Sequence, residues 1–202
     1  MRFKHFFFTT IFCLLHTSCS INISNTLKYR LTWENQKNAL KKIKEFQING
    51  YLLCFSRKTK IFSWFLFKQY SPQHYDITFI NPIGQIQLKV VFYKNIFKIT
   101  DNEGKMHINQ QPEITLFKAI GLKIPLNSFN KWMIGLPEKK QKYSLKDHTY
   151  VNELQCFYKK KLWKITYSYH KNKKTLPLLP NWIKIKQEND FIIFNINKWI
   201  LK

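Results

Sequence analysis

Only five of the 202 residues are glycine, and three of the 34 basic residues are arginine. The glycines form no phosphate-cradling loop, and neither His-Glu-x-x-His nor Gly-x-Ser-x-Gly occurs. The six histidines are scattered, and only His74 near Asp76 and Asp147 beside His148 suggest pairs. Neighbours along a strand point to opposite faces, so Asp147 and His148 read as turn residues rather than as a catalytic couple. Eleven carboxylates spread over the full length offer no acid and base pair. No enzyme, metal site or cofactor is expected from this set. After the first twenty residues no segment is long and apolar enough to span a bilayer as a helix.

What is present begins at the N-terminus. Arg2 and Lys4 precede an uncharged run from Phe6 to Leu15, a charged start and apolar centre that read as an export signal. Thr17 and Ser18 give a thin backbone just before Cys19, the setting in which a lipoprotein signal is cut and the new terminal cysteine takes up diacylglycerol. His16 stands where such signals commonly carry leucine, and an ordinary secretory cut nearby is the alternative. Ser20 after the cysteine is permissive for the outer membrane. The expected organisation is residues 1–18 as a removed signal, 19–30 as a lipidated tether and 31–202 as one domain. Removing residues 1–18 from 202 leaves 184, ample for one core. Cys54 and Cys156 then remain in strand-like stretches bound for an oxidising space. They read as two buried thiols, with a disulfide as the other option.

The net charge of +23 falls to +21 once Arg2 and Lys4 are removed. Such an excess commonly signals nucleic acid or an anionic membrane. Lysine dominates it, alongside Ile, Asn, Phe and Tyr, all favoured by AT-rich codons, so most of it reads as drift on a solvated surface. Attraction to anionic head groups is a secondary effect. A basic secreted nucleic-acid binder is one rival reading, but an export signal routes the chain away from nucleic acid.

Periodicity supplies the architecture. Trp33, Leu40 and Ile43 share one side of a short helix after Leu31, in a region that Gly50 is expected to close. Period-two alternation follows in Tyr75-Ile77-Phe79 and Ile86-Leu88-Val90, separated by the turn Asn81-Pro82-Ile83-Gly84. Asp101 to Gly104 marks another turn. Helices are expected over 112–121, with Ile114, Phe117 and Ile120 on one side, and over 126–134, with Leu126, Phe129 and Met133 in a stripe that Gly135 and Pro137 end. Strands resume over 151–158, 162–169, 182–186 and 191–198. Aromatics make up 17% of the chain, more apolar face than a flat sheet of this size needs. The expected fold is mainly β with α: an open antiparallel barrel wrapped around internal helices.

The run from Trp64 through Tyr75–Gly84 to Val90, then Asp101–Lys105, resembles the outer-membrane lipoprotein LolB family. So do Ile124–Ser128 leading into Lys131–Pro137, the strand Leu162–Tyr167, and the closing Asn197–Lys202. No single motif is specific, but they occur in order over nearly all of the chain after the signal. The resemblance implies a hydrophobic cavity in the half-barrel and attachment to the periplasmic side of the outer membrane. It also implies receipt of acylated proteins from a LolA-like soluble carrier for insertion into the membrane. The expected partners are that carrier, the acylated cargo and outer-membrane phospholipid, and the expected state is a monomer. No cofactor is implied beyond the N-acyl diacylglycerol on Cys19. In the family a protruding loop carries an apolar residue that places cargo in the membrane. Asn81, Pro82, Ile83 and Gly84 match that loop, with Ile83 the equivalent residue. Ile77, Phe79, Leu88, Val90, Phe117, Phe129, Trp132, Trp163 and Ile165 are the expected cavity lining. Each methylene of an acyl chain is worth about 0.8 kcal/mol on burial, so the lining must be apolar. With no nucleotide motif, transfer is expected to run downhill from carrier to receptor to bilayer. A soluble LolA-type carrier is the second rival, and would lack the lipid cysteine.

Overall fold

The computed structural model describes residues 31–56, 60–109, 114, 124–170 and 176–202. The expected helix over 112–121 lies outside these residues except for Ile114, and Phe117 lies outside them altogether. Leu31–Lys202 forms one compact unit.

Helix α1, Trp33–Lys42, starts where the Thr32 side chain accepts from the Asn35 N–H at 3.3 Å, with Glu34 in the first turn and Lys41 and Lys42 in the last. Leu40 is buried on its inner side, as the periodicity predicts. Gln36 is buried beside it, with both ends of its amide engaged. Its Nε2 donates to the Leu178 carbonyl at 2.6 Å, and its Oε1 accepts from the Leu178 N–H at 2.8 Å.

Among the described residues eleven strands follow: β1 Phe46–Phe55, β2 Lys60–Ser71, β3 His74–Ile80, β4 Ile86–Tyr93, β5 Ile96–Asp101, β6 Met106–Asn109, β7 Lys142–Lys146, β8 Tyr150–Tyr158, β9 Lys161–Tyr169, β10 Pro180–Gln187 and β11 Asp190–Leu201. They make one antiparallel sheet in the order β6-β5-β4-β3-β2-β1-β11-β10-β9-β8-β7, unclosed between β6 and β7. The chain returns to the middle of the sheet, where β11 pairs with β1. Most consecutive strands are joined by tight hairpins. Lys94-Asn95, Asp147-His148 and Lys159-Lys160 each place two non-glycine residues at positive φ, the geometry of type I′ turns. Asp147 and His148 are thus turn residues, as read from the sequence.

Gly50 does not close the helical region. It sits in the middle of β1, where the ladder to β11 shifts register between Asn49 and Gly50. A Cβ there would collide with the Asn195 carbonyl oxygen, so the position needs glycine for close backbone approach.

The core fills the concave side. Its plug is a single 3-10 turn, Leu126–Ser128, running into helix α2, Phe129–Met133, which Gly135 ends at φ +72°. The expected 126–134 helix is therefore shorter and tighter at its start. Polar contacts tie the plug to the sheet. Tyr75 donates from its hydroxyl to the Leu126 carbonyl at 2.7 Å, and Asn130 Nδ2 donates to Gln69 Oε1 at 3.0 Å. Gln69 in turn donates to the Lys44 carbonyl at 2.8 Å, which satisfies a buried amide at both ends. Among the described residues, Cys54 and Cys156 are not joined in a disulfide. Burial, with Asp190 second, pushes the buried Cys54 thiol up to about 12, and burial, with Glu138 second, takes half-buried Cys156 to about 11. Two protonated thiols result, not a disulfide.

Candidate functional site

Alternation aims one face of each strand at the plug. Leu52 of β1, Ile77 and Phe79 of β3, Val90 of β4 and Ile192 and Phe194 of β11 meet Ile124, Leu126 and Phe129 around a wholly apolar pocket. Phe129 packs edge-on against Phe67 and Phe194, with ring centroids 5.9 and 5.7 Å away. The pocket measures about 10 Å³, room for one water at most. Ile77, Phe79, Val90 and Phe129 of the expected lining thus meet at a pocket with almost no free volume, because the side chains around it fill the space between the strands.

Apart from Phe117, which lies outside the described residues, the expected lining divides in three. Ile77, Phe79, Val90 and Phe129 line this pocket. Trp132 lies on the other side of α2, at a more open pocket of about 410 Å³ between the plug and β7–β8. Leu88, Trp163 and Ile165 are buried in the same core but line neither pocket. Trp163 faces Trp132 with ring centroids 6.4 Å apart. Leu52, Ile124, Leu126, Ile192 and Phe194 went unrecognised as lining. A strand was expected over 191–198 but none at Leu52, and only the pairing of β11 with β1 brings Leu52, Ile192 and Phe194 to one place.

The open pocket is mixed in character. Ser128 donates to Glu138 Oε2 at 2.9 Å, Lys131 pairs with Glu138 Oε1, and Gln141 Oε1 accepts from the Glu138 N–H at 2.9 Å. Glu138 is thus a hub that fixes the segment leaving α2. Among the described residues, no group of three or more His, Cys, Asp or Glu side chains is placed to hold a metal ion.

The turn between β3 and β4 is built by Asn81. Its Oδ1 accepts from the Ile83 N–H at 3.1 Å and the Gln85 N–H at 2.8 Å. Its carbonyl accepts from Gly84 at 3.0 Å, and Gly84 takes φ +87°. With the backbone bonded inward, Ile83 has nothing to pack on and is 78% exposed. Ile86, expected to share the inner face of β4, is 52% exposed instead. A register shift between Phe79 and Ile80 pairs Ile86 with Ile80 and turns it outward. Cys19 lies outside the described residues.

The sequence profile of the family described as outer membrane lipoprotein LolB matches residues 44–199. The chain is 31% identical over 199 residues to the outer-membrane lipoprotein LolB of Baumannia cicadellinicola, covering 93% of this chain and 91% of that one. It is 29% identical over 170 residues to the protein of the same name from Serratia proteamaculans, covering 84% and 82%. In fold it is similar to the crystal structure of a LolA superfamily protein from Nitrosomonas europaea, with TM-score 0.53 and 8% identity over 85% of this chain and 94% of that one. A DUF1329 family protein from Desulfovibrio piger gives TM-score 0.58 and 11% identity over 87% and 92%.

Proposed function

Because the chain belongs to the outer-membrane lipoprotein LolB family, we propose that it takes acylated proteins from a LolA-type carrier and places them in the outer membrane through the Ile83 turn. It is an outer-membrane lipoprotein receptor in lipoprotein localisation. The family match over 44–199 carries the reading, and the unclosed sheet around an apolar interior is the architecture it needs.

An acyl chain that enters the apolar pocket at Phe129 displaces part of the plug. A pocket of about 10 Å³ holds no acyl chain, so Phe129 and its neighbours must move aside. What they surrender in contacts, the chains restore, at about 0.8 kcal/mol per methylene. Such an exchange leaves a modest net affinity, which suits a protein that must also release its cargo to the bilayer.

Cys19 carries the lipid anchor. The domain begins beside the β7–β8 turn, where the Trp33 N–H donates to the His148 carbonyl at 3.1 Å and Thr149 donates to the Leu31 carbonyl at 3.0 Å. That is the end of the sheet opposite Ile83. Residues 19–30 can span at most about 40 Å, and a ten-residue strand such as β1 about 33 Å. An anchor at Cys19 therefore allows Ile83 to meet the same membrane.

The test is transfer. A carrier loaded with a diacylated lipoprotein is incubated with this protein, and the cargo is then followed into liposomes. Cargo should leave the carrier for this protein and then sediment with lipid; cargo that stays on the carrier refutes the receptor reading. Mass spectrometry of the mature N-terminus should find a triacylated Cys19, and a free or missing cysteine there would favour a soluble carrier.

A further inference from the structure

We infer that the outer face of β1, β2 and β11, beside the Ile83 turn, is a second membrane-contact surface that seats on anionic phospholipid. The inference rests on the receptor reading only for the presence of a membrane.

The register defines the surface as three cross-strand rows on the side away from the plug. The outermost runs Lys60, Phe55, Phe191, Lys186, and the next Phe62, Leu53, Ile193, Lys184. The third runs Ile86, Ile80, Trp64, Tyr51, Asn195, Trp182. An antiparallel sheet facing water on one side alternates polar residues outward, and these rows break that rule. The neighbouring row keeps it, with Asn49, Leu66, Thr78 and Lys89 in register. The apolar field is thus confined to the Ile83 end.

Its aromatics pack on one another rather than on the core. Tyr51, Phe62 and Trp64 form a triad with ring centroids 5.7 to 5.8 Å apart, and Phe55 stacks on Phe191 at 4.8 Å. Phe62 and Trp64 are nevertheless each 42% exposed. No carboxylate stands in the three rows; Lys60 and Lys186 end the outermost one, and Lys184 ends the next on the β10 side. Lys184 lays its ammonium over the Phe191 ring at 4.3 Å from the centroid. Rings that sink to head-group depth, rimmed by lysines that reach phosphate, are what an anionic phospholipid surface recognises.

Position supplies the independent argument. Trp64 is level with Ile80, the last residue before the Ile83 turn, and β2 continues four residues beyond it to Lys60. At about 3.3 Å per residue this is roughly 13 Å. A bilayer that receives Ile83 therefore meets the flank of β1 and β2 as well. The surface would hold the turn at a fixed depth, which a single side chain on a tether cannot do.

The experiment reads tryptophan depth in the acylated protein, reconstituted in phosphatidylethanolamine–phosphatidylglycerol vesicles with brominated acyl chains. The wild type should lose a part of its emission that Trp64→Phe retains. Replacing phosphatidylglycerol by phosphatidylcholine should reduce that loss. Equal quenching of wild type and variant overturns the inference, as does a Trp64-dependent dimer in sedimentation, which would make the surface a contact between copies. Cargo uptake from the carrier is measured on the same samples. Uptake without Trp64 quenching refutes the surface alone, and absent uptake refutes the receptor reading.

Discussion

Two turns at one end of the sheet share a single construction and differ in what they carry. Asn81 and Asp101 each accept two backbone N–H bonds on a side-chain oxygen, from Ile83 and Gln85 in one turn and from Glu103 and Lys105 in the other. Each also accepts on its carbonyl from a glycine at positive φ, Gly84 or Gly104. At the equivalent tip position one turn has Ile83 and the other Glu103. The β3–β4 hairpin projects further, since Asp101 is level with Leu88 while Ile80 and Ile86 pair beyond it. The backbone therefore demands no isoleucine at the tip. A carboxylate serves the same turn a strand away, so Ile83 answers to something outside the fold.

The largest expected effect follows from exchanging the tips. Burying an isoleucine side chain yields about 1.5–3 kcal/mol, so Ile83→Glu should slow cargo insertion into liposomes by roughly 10- to 100-fold. Its melting temperature should match the wild type, because Glu103 shows the turn accepting that residue. Glu103→Ile should leave insertion unchanged. If Glu103→Ile rescued Ile83→Glu, any apolar tip at this end would serve, and the distinction between the two turns would vanish.

Gly84→Ala and Gly104→Ala should each cost about 1–2 kcal/mol in urea denaturation. The positive φ is the whole cause, since a Cβ at either position has no atom within 4 Å. Unequal costs would show that one turn touches something the other does not. Asn81→Ala should cost about 1 kcal/mol through its lost acceptor bonds, by the same measurement.

The smallest effect separates the turns by pH. Burial raises the Asp101 pKa, but the Lys105 and Glu103 N–H groups and His107 more than offset it, leaving the carboxyl below its ordinary value. A depressed folded pKa gives stability that is present above the unfolded carboxylate value of about 3.9 and fades as pH falls through the folded one. The stability gap between wild type and Asp101→Ala should narrow in acid. The gap for Asn81→Ala should not, and parallel narrowing of both would sever the assignment to Asp101.

Much of the fold is legible because alternation and turn residues coincide. Tyr75, Ile77 and Phe79 are buried in β3 as their spacing requires, and Gly135 ends α2 where predicted. β1 was obscured because its second half is apolar on both faces, Leu52 and Cys54 inward, Tyr51, Leu53 and Phe55 outward. Period two disappears when the outer face is greasy too. The hairpin turn Lys159-Lys160 carries no glycine or asparagine to announce its positive φ. At the site, the Asn81–Gly84 turn and a part of the apolar lining, Ile77, Phe79, Val90 and Phe129, could be read from residue types, whereas the small volume of that pocket could not. Packing volume depends on how Phe129, Leu126 and Ile124 fit a curved sheet.

The sequence alone determined a mainly β chain, an apolar set large enough for a curved sheet, and a polar turn tipped with isoleucine. These are properties of residue type and spacing, which act locally. Only the tertiary structure decided that β11 closes on β1, that the apolar pocket at Phe129 holds only about 10 Å³, and that three rows of outward apolar residues lie beside Ile83. Each of those depends on residues far apart in the chain meeting across strands, where register and shape, rather than composition, set the outcome.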